Sequence, residues 1–192
     1  LTRLRQICCD PSTFIENYNG GSGKMDALDE IFENSLEQGH RILIFSQFTR
    51  ILKNISVRLE NKVIKYMYLD GSTKAEKRVE MVKTFNAGDS QVFLISLKAG
   101  GTGINLTGAD MVIHFDPWWN PAVEDQATDR AHRIGQKKTV EVIKLIARGT
   151  IEEKIFKLQE KKKQISKSVI NNKTGAELLL SQMKIGRASC RE

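Results

Sequence analysis

The sequence predicts an α/β fold with a mainly parallel sheet flanked by helices. The first observation is a set of short apolar stretches that read as strands. The second is that segments with a helical spacing of apolar residues separate most of these strands. Strands that alternate with helices are typical of βαβ units and of parallel sheets. The 192 residues and 40% hydrophobic content suit one domain with a substantial core.

The predicted strands are rich in β-branched and aromatic residues and lie at 41–45, 63–69, 91–96, 111–115 and 139–146. Parallel sheets bind ligands at the carboxyl ends of their strands. We therefore expect the chemistry of this chain to lie in the polar loops at 46–47, 70–73, 96–105 and 116–120.

The first three helices of the predicted fold have recognisable ends. Apolar residues recur at helical spacing from Met25 to Leu36, and Gly39 is expected to end that helix. Thr49 is expected to cap the second helix. A capping box that begins at Thr73 predicts the start of the third.

The two later helices also have start signals. Asn120 followed by Pro121 is typical of an N-cap and a first helical position, and that helix is expected to run to about Ile134. A capping box at 150–153 predicts a long C-terminal helix. Its lysine run, 161–163, is either a solvated helix face or a contact for DNA phosphate.

Charge and cysteine content narrow the class of protein. The formal net charge of +7 favours polyanionic partners such as nucleic acid, although surplus surface lysine explains it equally well. Cys8, Cys9 and Cys190 form no CxxC pair, so no zinc or disulfide framework is expected, and a reducing compartment fits best. No apolar run approaches the roughly 18 residues of a membrane helix.

Gly23 and Lys24 resemble part of a phosphate-binding loop, but the pattern is incomplete. A Walker A loop requires glycine where this chain has Asn17, and a hydroxyl residue where it has Met25. No acidic box follows a predicted strand. We therefore expect neither a triphosphate cradle nor a metal site in this chain.

The segment 125–136, DQATDRAHRIGQ, concentrates polar residues on a predicted helix. Arg130 and Arg133 are three residues apart and would share one helical face, where two guanidinium groups can clamp a polyphosphate. The alternative is an ordinary surface helix with Asp–Arg pairs. The spacing alone does not decide between them.

The segments that precede 125–136 favour the polyphosphate clamp over the ordinary surface helix. In order they read ILIFSQF (42–48), YLDGST (68–73), SLKAGGTGINL (96–106) and DPWWNP (116–121). Together with DQATDRAHRIGQ they resemble the C-terminal RecA-like lobe of the Swi/Snf family of helicase-like ATPases, within helicase superfamily two. The resemblance covers roughly residues 4–163 and includes the opening LRQICCDP.

The resemblance implies roles for individual residues in the nucleotide site. It places Gln126, Arg130 and Arg133 in motif VI as catalytic residues, with the two arginines reaching ATP that is held mainly by another lobe. The nucleotide-binding residues that it implies are Gly101, Gly103, Asn105 and Asp129.

The resemblance also implies contacts with the DNA backbone. Ser46 and Gln47 belong to motif IV, Ser72 to the loop termed IVa, and Lys98 and Thr102 to motif V. A glycine-rich loop after a strand suits phosphate because its N–H groups are exposed, although the same glycines can simply form a tight turn.

The aromatic and histidine side chains near these motifs have alternative interpretations. Trp118 and Trp119 either pack within the lobe or stack on bases. His114, inside a strand, is expected to be structural. The role of His132 stays open between support of motif VI and no function.

The resemblance implies the second motor lobe of an ATP-dependent double-stranded DNA translocase. ATP with Mg²⁺ would bind between this lobe and an N-terminal RecA-like lobe, which carries the Walker sequences and holds the metal; this lobe alone is expected to be inactive. Duplex DNA and the N-terminal lobe are the expected partners, other protein partners are open, and no membrane is expected. A strand-separating helicase lobe and a stand-alone DNA- or protein-binding module are the alternatives.

The domain organisation follows from the same reasoning. We predict a lead-in from the N-terminal lobe at 1–23, the helicase C-terminal RecA-like lobe at 24–149 and a helical extension at 150–184. The tail 185–192, IGRASCRE, can be encoded by a widely used sequencing-adapter strand and is predicted to be non-native. A bacterial, cytoplasmic protein is favoured, and a nuclear location is expected if the source is eukaryotic.

Overall fold

The sheet and its flanking helices are as the sequence predicts. A computed structural model describes residues 1–99, 103–132, 136 and 138–171. The elements in chain order are α1 (Thr2–Cys9), α2 (Gly23–Glu37), β1 (Ile42–Ser46), α3 (Thr49–Asn61), β2 (Tyr66–Leu69), α4 (Ala75–Ala87), β3 (Val92–Ser96), β4 (Met111–His114), α5 (Pro121–Thr128), β5 (Glu141–Lys144) and α6 (Ile151–Asn171), with a 3₁₀ turn at Pro11–Thr13. The predicted α/β class is confirmed.

The sheet has the strand order β2-β3-β1-β4-β5, and every pair of neighbouring strands is parallel. The three central strands, β3, β1 and β4, are buried at every residue. Because all strands point the same way, their carboxyl ends share one edge of the sheet. The loops after β1, β3 and β4 are therefore neighbours.

Each face of the sheet is covered by helices, which gives three layers. Alternate residues of β1 point to opposite faces: Ile44 joins one core cluster and Phe45 the other. α2 and α3 fill the first cluster through residues such as Phe32 and Leu52. α4 and α5 contribute Phe85 and residues of the last turn of α5 to the second.

Two of the predicted helix caps are wrong. Phe48 is the N-cap of α3 and provides no side-chain cap, so Thr49 lies within the helix. Lys74 is the N-cap of α4. The Thr73 hydroxyl instead accepts a hydrogen bond of 3.2 Å from the N–H of Asp70, because it closes the preceding turn. The predicted Asn120 cap is confirmed, since its Oδ1 accepts from Ala122 N at 3.1 Å.

The strand predicted at 63–69 begins later, at Tyr66. Val63 has a positive φ of 56° and belongs to the C-terminal turn of α3, where its N–H donates to Glu60 O and that of Ile64 to Leu59 O. The strand predicted at 139–146 is likewise shorter. α2 ends as predicted, with Gly39 at φ 78°.

α6 is attached to the lobe by a buried ion pair. Lys24 Nζ lies 2.6 Å from a carboxylate oxygen of Glu152 and donates to the carbonyl of Phe115 at 2.7 Å. The Glu152 side chain is completely buried and also accepts from the N–H of Ala147. Lys24 therefore joins α2, the end of β4 and α6, which gives it a structural position and agrees with the rejection of a phosphate loop.

The predicted domain boundaries stay predictions, yet α1 is packed on the lobe, since Arg5 and Cys9 are buried. No described helix has the length and apolar character to cross a membrane. The predicted tail, 185–192, and the part of the extension beyond residue 171 lie outside the described residues.

Candidate nucleotide and nucleic-acid site

A buried carboxylate, Asp116, organises the centre of the carboxyl edge. It accepts hydrogen bonds from the Ser46 hydroxyl and, at 3.3 Å, from the N–H of Gln47. It also lies 3.5 Å from the guanidinium of Arg5. Burial raises the pKa of Asp116 above its usual value, whereas the Ser46 hydrogen bond and the charges of Lys24 and Arg5 act in the opposite direction. The loops after β1 and β4 are thus fastened to each other.

This arrangement changes the role expected for Ser46. Its side chain is 1% exposed and is used internally, donating to Asp116 and accepting from the N–H of Phe48 at 3.1 Å. A direct contact between the Ser46 hydroxyl and DNA does not fit this burial. Gln47 is half-buried as a residue, but its Nε2 atom is buried and has no hydrogen-bond partner among the described residues. Of the two motif IV residues, only Gln47 has part of its side chain exposed.

The loop 70–73 is closed by its own side chains. Asp70 Oδ1 accepts from the N–H of Ser72 at 2.9 Å and from its hydroxyl at 2.6 Å, and the pKa of Asp70 is lowered mainly by that hydroxyl. Arg78, on α4, donates to the carbonyls of Thr73 at 2.8 Å and Asp70 at 3.3 Å. Ser72 is exposed at the tip of this loop.

The motif V segment is held by an asparagine that sequence reasoning missed. Asn86, near the end of α4, donates to the carbonyl of Asn105 at 2.9 Å and accepts from the N–H of Gly108 at 2.9 Å. Lys98 and Asn105 are exposed, as is Gly103, whose φ is 46°. Gly101 and Thr102, with predicted nucleotide and DNA contacts, lie outside the described residues.

The motif VI segment is not the continuous helix that the sequence predicted. α5 ends at Thr128 instead of about Ile134, and the next bonds are those of tight turns, such as Arg130 N to Ala127 O at 3.2 Å. The reason is tertiary: the carbonyl of Arg130 accepts from the N–H of Leu106 at 2.8 Å. This bond places motif VI directly against motif V.

Exposure divides the motif VI residues. Gln126 and Asp129 are exposed, whereas Arg130 is 3% exposed. Arg133 lies outside the described residues. Arg130 lies beyond the end of α5 at Thr128, so the shared helical face predicted for Arg130 and Arg133 is not formed by this helix.

Comparison with known proteins assigns the family. The model of the helicase conserved C-terminal domain matches residues 23–135, more than half of the chain. The chain belongs to this family.

Relatives at 42–49% identity include an ATP-dependent helicase, a chromatin-remodeling ATPase and a SWI/SNF-related regulator of chromatin. An uncharacterized ATP-dependent helicase of Mycoplasma pneumoniae is 42% identical over 187 residues, which are 95% of this chain and 18% of that protein. The human chromatin-remodeling ATPase INO80 is 49% identical over 151 residues, 78% of this chain and 10% of that protein. A mouse SWI/SNF-related matrix-associated actin-dependent regulator of chromatin, subfamily A member 1, is 43% identical over 217 residues, which cover 100% of this chain and 21% of that protein.

A solved structure has the same fold. The C-terminal part of the Fun30 ATPase domain matches with a TM-score of 0.69 and 38% identity over 82% of this chain and 54% of that chain. The prediction of a Swi/Snf-type helicase C-terminal lobe with a RecA-like fold is confirmed. The chain spans about a fifth or less of the curated relatives.

Within this helicase lobe, a second buried carboxylate binds the loop at 116–120, which carries Trp118 and Trp119 (the tryptophan loop). Glu124 is 1% exposed and accepts from the N–H of Trp118 at 2.6 Å and from Gln159 Nε2 at 2.7 Å, and it pairs with Lys144. Gln159, on α6, also donates to the carbonyl of Trp118. Sequence reasoning missed Glu124, because a glutamate in a first helical turn is common and its partners Lys144 and Gln159 lie 20 and 35 positions away in the chain.

His114 has the structural position that the sequence predicts. Its Nε2 lies 3.0 Å from the hydroxyl of Thr128, and its ring stacks on Phe45 with centroids 5.8 Å apart. Burial lowers the pKa of His114 to about 4. His132 is exposed. Among the described residues, no group of three or more His, Cys, Asp or Glu side chains is arranged to hold a metal ion.

Proposed function

We propose that this chain is the second motor lobe of an ATP-dependent double-stranded DNA translocase of the Swi/Snf type. The observation that supports this most strongly is the bond between Leu106 and Arg130, which joins the motif V and motif VI segments at the carboxyl edge. The loops of motif IV and of residues 70–73 follow strands of the same sheet and lie along that edge. We therefore assign the junction of motifs V and VI to the nucleotide, and the loops of motif IV and of residues 70–73 to DNA.

ATP would contact the exposed polar groups at the junction of motifs V and VI. Gly103, Asn105, Gln126 and Asp129 are exposed there, which fits a phosphate-rich ligand. The triphosphate and its Mg²⁺ would be held mainly by an N-terminal lobe with the Walker sequences. The ion neutralises charge on the phosphates when bound.

Arg130 and Arg133 are the proposed arginine fingers. A guanidinium group that meets the triphosphate stabilises the charge that develops on the transferred phosphoryl group. Since Arg130 is 3% exposed, docking of the N-terminal lobe must uncover its side chain. Hydrolysis therefore depends on closure of two lobes, and this chain alone is inactive.

DNA would be held through its phosphate backbone by Gln47, Ser72, Lys98 and Thr102. Contacts with phosphate carry no sequence information, as a motor that tracks along a duplex requires. Two of the relatives are named for chromatin, which contains duplex DNA, and this supports the proposed partner.

The test uses the intact protein that contains this lobe. Arg130→Ala and Arg133→Ala should each lower the DNA-stimulated kcat by about 10³-fold, the lower range for an arginine finger, while ATP affinity changes far less. Arg148→Ala, which removes an exposed arginine between β5 and α6, is the matched control and should retain its kcat.

A normal kcat in the double variant Arg130→Ala with Arg133→Ala would contradict the assignment of these residues as arginine fingers. Robust ATP hydrolysis by this chain alone would contradict the two-lobe site. A strand-displacement assay on a partial duplex separates the two enzymatic alternatives, since a translocase of the proposed type moves without displacing a strand.

A further inference from the structure

Arg5 lies at the centre of an aromatic cluster to which the proposed function assigns no role. It belongs to α1 and is 3% exposed. Its guanidinium carbon lies 5.6 Å from the ring centroid of Phe48, 5.6 Å from that of Trp118 and 5.8 Å from that of Trp119. These distances are within the range of cation–π attraction, which strengthens when the cation is removed from water.

The polar edge of the same guanidinium reaches the two loops. Arg5 donates to the carbonyl of Pro117 and lies 3.5 Å from Asp116. Asp116 in turn accepts from the Ser46 hydroxyl and the Gln47 N–H. One side chain of α1 therefore contacts the tryptophan loop directly and the motif IV loop through a carboxylate.

The chemistry of arginine suits this position better than that of lysine. A planar guanidinium stacks on rings with its face while its edge donates several hydrogen bonds in fixed directions. An ammonium ion has no flat face and directs its donors less specifically. The polar contacts of Arg5 come from Nη2, whereas its Nε has no hydrogen-bond partner among the described residues. The three surrounding rings are therefore what favours arginine over lysine here.

We propose that Arg5 is a positioning residue for DNA binding, because it holds the loop of Gln47 and the loop of Trp118 and Trp119 in one fixed unit with α1. This inference rests on the proposed function. A displacement of α1 would move both loops together. Loss of Arg5 would leave each loop to find its own position, and duplex DNA would then have to order them on binding.

The first measurement uses this chain itself. Trp118 and Trp119 are its only tryptophans, so their fluorescence reports on this cluster alone. Arg5→Met, which preserves the apolar stem without the charge, should increase acrylamide quenching and shift the emission to longer wavelength. Arg3→Met, at an exposed position of the same helix, is the matched control and should do neither. Equal quenching of all three proteins would overturn the proposal.

The second measurement uses DNA-stimulated ATP hydrolysis by the intact protein. Arg5→Met should raise the DNA concentration for half-maximal stimulation by about tenfold, the loss of one desolvated cation–π cluster, and lower kcat at saturating DNA much less. Arg5→Lys should give an intermediate value, because it keeps the charge and loses the planar fork.

Removal of Arg5 leaves Asp116 buried without its cation, and this alone can unfold the lobe. The double variant Arg5→Met with Asp116→Asn avoids the unpaired charge and keeps an acceptor for the Ser46 hydroxyl. It should melt near the temperature of the unaltered protein and still require more DNA. A normal DNA requirement in the folded double variant would overturn the proposal.

Lys98→Ala separates failure of this inference from failure of the proposed function. Weaker DNA binding by Lys98→Ala together with a normal response of the Arg5 variants removes only the role of Arg5. Unchanged DNA binding in all of these variants removes both.

Discussion

The buried imidazole of His114 makes the stability of the lobe depend on pH. Its pKa is lowered to about 4 by burial, although Glu124 nearby acts in the opposite direction. An unfolded histidine titrates near 6.5, so between these values the unfolded chain binds more protons than the folded one. Stability is therefore fully present above pH 6.5 and decreases as the pH falls towards 4. The contribution is about 3 kcal/mol over that range.

The measurement is chemical denaturation at a series of pH values between 7 and 4. His114→Gln keeps a group that hydrogen-bonds Thr128 but does not titrate, so its stability should fall less steeply with acid than that of the unaltered chain. His132→Gln, at an exposed position, controls for the loss of a histidine. Parallel pH profiles for His114→Gln and the unaltered chain would contradict the prediction.

For single residues, the sequence predicts the location in the fold better than the side-chain contacts. Gln47, Lys98 and Ser72 are placed beside the carboxyl edge because each follows an apolar run that forms a strand. Arg5 and Glu124 are not found this way, since Arg5 contacts Asp116 from 111 positions away and Glu124 contacts Gln159 from 35 positions away, and such pairs leave no local pattern.

At the scale of elements, Gly108 marks the closest approach between the segment after motif V and its neighbours. A Cβ atom at this position would lie 2.7 Å from Arg41 Nη1 and 3.0 Å from Cα of Asn86. The arginine tip can move, but the backbone of α4 cannot do so without disturbing the core. Gly108→Ala should therefore destabilise the chain by about 1–3 kcal/mol, as overpacking does.

Thermal denaturation checks this prediction against a matched substitution. Gly23→Ala, at the first residue of α2, places its Cβ where no atom lies within 4 Å and should leave the melting temperature unchanged or slightly higher. In the intact protein, Gly108→Ala should also weaken the hydrogen bond from Asn86 to the carbonyl of Asn105. Equal melting temperatures for both alanine variants would contradict the argument.

The ends of elements are where sequence and structure differ. Local patterns predict a cap at Thr73 and a helix to about Ile134, and both fail for a tertiary reason. Thr73 bonds within the loop that Arg78 fastens, and the carbonyl of Arg130 is taken by Leu106. A helix ends where a competing partner offers its backbone a better bond, and such a partner is invisible to a local window. The positions of β1, β3 and β4 agree with the prediction because burial on both faces makes their apolar runs continuous, whereas the less buried β2 and β5 are shorter than predicted.

At the scale of the molecule, the strand order explains why distant motifs meet. β1 lies between β3 and β4, so the loops that carry Gln47, Lys98 and Asp116 leave adjacent strands. A helix that follows a parallel strand returns antiparallel to it, so the C-terminal end of α3, near Lys62, lies at the opposite edge. The proposed DNA face and its opposite can therefore be tested with the same kind of substitution.

The dependence of duplex binding on salt is the measurement for this face. The logarithm of the binding constant falls linearly with the logarithm of the salt concentration. Each phosphate that a protein cation neutralises adds about 0.9 to the magnitude of this slope. Lys98→Ala should therefore reduce the magnitude of that slope by about 0.9 and weaken binding equally on unrelated sequences. Lys62→Ala removes the same formal charge from a net charge of +7, but from the other edge, where Lys62 pairs with Glu33 at 2.9 Å. Its slope should equal that of the unaltered protein, because a screened charge at that distance neutralises no phosphate. Equal effects of the two substitutions would mean that net charge, and not a defined edge of the sheet, attracts the DNA.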